Sequence, residues 1–113
     1  MASGLAGVAR CTVPMMTTNV YAAIVTAYCH CSDCCGPNAA GITASGRPPV
    51  ARKTVAAPRS VLLGSTVIIE GRRYTAEDRT SIRHEGRFDI YFRTHKEARE
   101  FGIRKLTVTV IAP

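Results

Sequence analysis

Apolar and polar positions change over in short runs along this chain, and most of the runs have the two-residue period of a strand. Val20 to Tyr28 (VYAAIVTAY) is rich in β-branched and aromatic residues and stops at a cysteine cluster, which predicts a first strand. Gly36 to Pro49 holds three glycines and three prolines and predicts a loop. Thr54 to Ala57 predicts a short strand, and Pro58 to Gly64 a turn region. Thr66 to Glu70 and Arg73 to Glu77 flank Gly71 and Arg72, the pattern of a hairpin. Phe88 to Phe92 (FDIYF) predicts another strand. Thr94 followed by Glu97 is a capping box, and the short helix it opens stops at Gly102, with Ala98 and Phe101 on its buried side. Leu106 to Ile111 (LTVTVI) alternates and closes the chain as a strand. Residues 1–19 are small and polar and read as an N-terminal arm; 20–113 form one domain. About six strands and one short helix predict a mainly β fold, a small barrel.

Two carboxylates break this pattern. Asp78 ends the run that begins at Tyr74, and Asp89 sits inside an aromatic strand. A carboxylate in such a run costs free energy to bury unless it is hydrogen-bonded or used. The segment between them, Arg79 to Arg87, is polar, contains Gly86 and has no steady period, so it reads as a loop. Strand end, loop and next strand can bring both carboxylates to one cleft. The bland alternatives are an Asp78 that satisfies loop amides and an Asp89 that ties down barrel backbone. Alternation turns Glu77 away from Asp78, toward solvent. His84 and His95 read as a loop residue and a first-turn residue of the helix. Arg79, Arg83 and Arg87 read as solvated, or as lining the cleft.

Length and charge narrow the choice. The chain has 113 residues, one domain's worth, and 46 % are hydrophobic, which excludes general disorder. No apolar run reaches the roughly 18 residues of a membrane span, and no secretory signal is visible at the N-terminus. The formal charge of +7 suits an anionic partner. Few aromatics lie among the basic residues and no recognition motif accompanies them, so nucleic acid is not the expected partner.

Cys29, Cys31, Cys34 and Cys35 fall within seven positions, around His30, and Cys11 is left over. Two chemistries compete: disulfides, which imply an oxidising compartment, and a zinc knot of these thiolates with or without His30. The absence of a second, separated CxxC pair and the adjacency of Cys34 and Cys35 rank disulfides first. A nucleophilic thiol ranks last.

The order of blocks resembles one family. Thr26-Ala27-Tyr28, CxCxxCCG, GITASG, a VAxxPR…LG turn, AED, FDIYF and EAREFG together look like the 3D domain, named for three aspartates. The resemblance covers about Val25 to Ile111. It is similar to the catalytic barrel of membrane-bound lytic transglycosylase A and of stationary-phase survival proteins. The resemblance implies a six-stranded double-psi β-barrel that acts extracytoplasmically and cleaves peptidoglycan glycan strands to 1,6-anhydro ends without a cofactor. Asp78 matches the family's second aspartate and Asp89 the third, the acid and base. Tyr28, Thr43, Ala57 and Arg87 would line the substrate groove. Ala57 stands where the first aspartate is expected, and Asp78 is followed by Arg79-Thr80-Ser81 instead of Thr-Gly-Gly. The alternative is a catalytically degenerate barrel that binds glycan or serves as a structural, virion-associated or cell-envelope module.

Overall fold

The computed structural model describes residues 18–29, 31 and 42–113. Most of the expected arm, with Cys11, and also His30, Cys34 and Cys35, lie outside the described residues. The strands are β1 (Thr18–Tyr28), β2 (Thr54–Ala57), β3 (Thr66–Ile69), β4 (Arg72–Arg79), β5 (Phe88–Tyr91) and β6 (Arg104–Ile111); one helix, α1 (His95–Phe101), lies between β5 and β6. They close into a six-stranded barrel in the order β1-β5-β2-β4-β3-β6. Two neighbouring pairs, β1 with β5 and β2 with β4, run parallel, and the other pairs run antiparallel. The mainly β fold with a short helix that the alternation predicts is the fold observed.

Local chemistry sets the corners. Glu70 and Gly71 both take positive φ, 51° and 77°, between β3 and β4, as the tight primed hairpin turn requires. Thr94 caps α1 by accepting a hydrogen bond from Glu97 N at 3.1 Å, and Gly102, at φ 73°, ends it.

The core follows the two-residue period. Val25 of β1, Val55 of β2, Val67 and Ile69 of β3, Ala76 of β4, Phe88 and Ile90 of β5 and Val108 of β6 are all buried inside the barrel. Burying each larger side chain contributes about 1.5–3 kcal/mol relative to leaving it in water. The period fails at one place. Val55 of β2 lies opposite Ala76 of β4, but the next β2 residue, Ala56, lies opposite Asp78; Glu77 is the extra residue of a β-bulge. In strict alternation Asp78 would share the inward face of Ala76. The bulge turns it outward instead.

Candidate functional site

The register assembles the site. Thr26 of β1 lies opposite Asp89 of β5, Asp89 opposite Ala56 of β2, and Ala56 opposite Asp78 of β4. Opposite side chains in paired strands share a face. Thr26, Asp89, Ala56 and Asp78 therefore form a row across four strands on the outside of the barrel wall. The next outward positions along β1 and β5 are Tyr28 and Tyr91, whose rings meet edge to face at 5.3 Å. The loop from β4 to β5 rises over this row. It contains a short 3-10 turn, Ile82–His84, and is held to the turn after β2 by Arg59, whose backbone amide and guanidinium donate to Glu85 at 2.7 and 2.8 Å. The result is a groove of about 630 Å³ whose walls include both aspartates, Thr26, Tyr28, Ala56, Thr80, His84 and Arg87.

The two carboxylates are in different states. Asp78 is held: its Oδ1 accepts from Ala44 N at 3.1 Å and Arg79 N at 2.9 Å, and its Oδ2 accepts from Tyr28 Oη at 3.0 Å. Asp89 is half-buried like Asp78, and its Oδ1 accepts one short bond, 2.6 Å, from Thr26 Oγ1. Burial pushes the Asp89 carboxyl above the usual carboxylate range. The Thr26 bond and the positive fields of His84 and Arg87 pull it down, and the Asp78 charge pushes it up again. The balance is upward.

Other expected site residues are placed differently. Ala57 does not line the groove: it is fully buried in the barrel core, and the β2 residue on the groove wall is its neighbour Ala56. The reason is the two-residue period, which sends adjacent side chains to opposite faces. Thr43 is also off the groove wall. It is buried in the 43–47 turn, where its hydroxyl lies 2.8 Å from both Ser45 Oγ and Arg47 O. Thr43 thus shapes the turn that presents Ala44 N to Asp78. Glu77 is half-buried, not solvent-facing, because the bulge brings its Oε1 within 2.7 Å of the donating Thr54 hydroxyl. Arg79 is not merely solvated: its Nη1 donates to Pro58 O and Val61 O at 2.7 and 2.5 Å. Arg83 does not line the groove.

Sequence reasoning passed over Thr26 as a partner of Asp89, and Thr80, whose buried hydroxyl has no hydrogen-bond partner among the described residues. It also missed His95. The imidazole Nδ1 lies 3.8 Å from Cys29 Sγ and 3.5 Å from Cys31 Sγ. The two sulfurs are 2.9 Å apart, well beyond the roughly 2.05 Å of a disulfide, so no disulfide joins this pair; bridges through Cys34 or Cys35 lie outside the described residues. These three are the His, Cys, Asp or Glu side chains grouped closely enough for a metal among the described residues. No helix among the described residues is long and apolar enough to cross a membrane. Comparison of the sequence with protein-family models and with curated proteins gives no match.

Proposed function

We propose that the barrel is a lytic transglycosylase-like domain acting on peptidoglycan glycan strands, with Asp89 as its acid and base. One observation carries the reading: two carboxylates share one groove, and burial pushes one of them, Asp89, toward the protonated form. A general acid near neutral pH needs that shift. Protonated Asp89 gives its proton to the glycosidic oxygen as the C1–O bond breaks. The sugar's own 6-hydroxyl then attacks C1, and its proton passes to the Asp89 carboxylate, which regenerates the acid. No water is consumed and the product carries a 1,6-anhydro end. A glycosidase that hydrolyses needs a second carboxylate to activate water or to attack; here Asp78 instead supplies negative charge beside developing oxocarbenium character. Arg87 offers donors to the carboxylates and hydroxyls of the strand. The double-psi connection, an extracytoplasmic or virion-associated location and contacts with envelope proteins belong to the same proposal and rest on the resemblance.

A second reading has its own support. Asp78 is occupied by three donors, and Ala56, not a third carboxylate, stands between it and Asp89. Such a groove suits a barrel that binds glycan without cutting it. Incubation with purified sacculi and mass spectrometry of the released fragments separates the two. The enzyme releases 1,6-anhydro-muropeptides, and Asp89→Asn abolishes the release. A protein that sediments with sacculi and releases nothing is the binding module.

A further inference from the structure

The end of β1 and the start of α1 are brought side by side by the barrel itself. β1 and β5 run parallel with Tyr28 opposite Tyr91, so the segments that follow them leave the same end of the barrel. Phe92 N donates to Tyr28 O at 2.8 Å and fastens the two exits together. Cys29 is the first residue beyond β1, Cys31 follows two positions later, and His95 opens α1. Cys29 is 2 % exposed, so its sulfur faces protein on nearly every side.

We propose that Cys29 Sγ, Cys31 Sγ and His95 Nδ1 are three ligands of a structural zinc ion that clasps β1 to α1 at the rim of the groove. The chemistry of the donors selects the metal: thiolates with an imidazole suit zinc, whereas hard cations such as Mg²⁺ and Ca²⁺ take oxygen. Two of the three distances agree. With Zn–S near 2.3 Å and Zn–N near 2.0–2.1 Å, a tetrahedral ion sets sulfur–nitrogen separations of about 3.6 Å and sulfur–sulfur separations of about 3.8 Å. The sulfur–nitrogen separations are 3.8 and 3.5 Å. The sulfur–sulfur separation of 2.9 Å opens by about 0.9 Å on metal entry, a side-chain rotation's worth of movement. Each thiol gives up its proton as it binds, so uptake releases two protons from this pair. The fourth position is filled from outside the trio. His95 is also a groove residue, so the ion fixes one wall of the cleft that holds Asp89. The inference does not depend on the glycan chemistry, and its test needs no activity.

The full chain, reduced and stripped of metal, is titrated with Zn²⁺ alone. One ion per chain is expected, with proton release and a higher melting temperature, because a metal bound only by the folded state stabilises it. Cys31→Ser and His95→Ala are each expected to weaken binding by about 100-fold or more, since losing even a residue behind a ligand costs 10–100-fold. X-ray absorption at the zinc edge of the wild-type chain is expected to show at least two sulfurs and one imidazole nitrogen, which decides the matter even if a variant does not fold. Failure of the reduced wild type to take up zinc, an all-sulfur shell, or a Cys29–Cys31 disulfide found by peptide mapping of the protein as isolated overturns the proposal.

Discussion

Replacing Asp89 by Asn tests the acid before any substrate is involved. An unfolded aspartate titrates near 3.9. Asp89 titrates higher in the folded protein, because burial outweighs the Thr26 bond and the fields of His84 and Arg87, with Asp78 adding to the rise. The folded state therefore holds the extra proton between the two values, and its stability falls as pH rises through the higher one. Asn keeps the size and an oxygen that can still accept from Thr26 Oγ1, 2.6 Å away in the wild type, but it never charges. Burying an ionised carboxylate without full compensation costs more than burying a neutral amide or hydroxyl, which costs about 1–3 kcal/mol. A hydrogen bond to a charged acceptor returns about 1.5–3 kcal/mol and one to a neutral acceptor about 0.5–1.5 kcal/mol. The Thr26 bond offsets only part of the burial cost, in agreement with the upward shift. Below pH 4 the two proteins should be about equally stable. Toward pH 7 the Asn variant should gain on the wild type, each 1 kcal/mol of gain raising the melting temperature by about 4–8 °C for a domain of this size. Urea unfolding of both proteins from pH 4 to pH 8 measures it. An Asn variant that instead loses ground as pH rises would mean that charged Asp89 is stabilised by its cationic neighbours, and the general-acid argument would fail with it.

Arg79→Met removes both bonds from Nη1 to Pro58 O and Val61 O and should cost about 2–4 kcal/mol, read from thermal or urea unfolding; equal stability would show that water replaces the guanidinium without loss. Asp78→Ala removes the acceptor for Ala44 N, Arg79 N and Tyr28 Oη, and should cost about 2–3 kcal/mol and loosen the 43–47 turn, seen as faster amide exchange at Ala44. Asp78→Asn should lose less, since one oxygen remains to accept from the two amides and the tyrosine hydroxyl can accept as well as donate.

The strands were legible because alternation is a local property. Val67 and Ile69, or Val108 and Val110, declare an inward face with no knowledge of their neighbours. The capping pair Thr94 and Glu97 is local too and acts as expected, and the hairpin forms with its turn at Glu70 and Gly71, one residue before the expected Gly71 and Arg72. Asp78 and Asp89 stood out because carboxylates are rare in such runs, and the groove does contain both. What the sequence hid depends on pairing. The face of Ala56 against Ala57 follows from register with β4 and β5, and no local pattern supplies a register. Thr26 meets Asp89 across 63 positions and His95 meets Cys31 across 64, each through the parallel pairing of β1 with β5. A histidine at the first turn of a short helix carries no mark of the cysteines it will face.

The bulge at Glu77 gives the β4 strand a counting rule. Upstream of it, odd and even positions are assigned to wall and core in one sense; downstream the assignment is reversed. The hydrophobic code that builds the barrel can thus continue unbroken through Ala76 while the code that furnishes the groove starts afresh at Asp78. One residue separates the two messages. The same sequence paired without the bulge would set Glu77 opposite Ala56 and deliver Asp78 to the side of Val55 and Ile90, in the apolar core. Substitutions can tune this groove position by position, but as long as Glu77 is present, its place outside the ladder is held by the fold and the site at once.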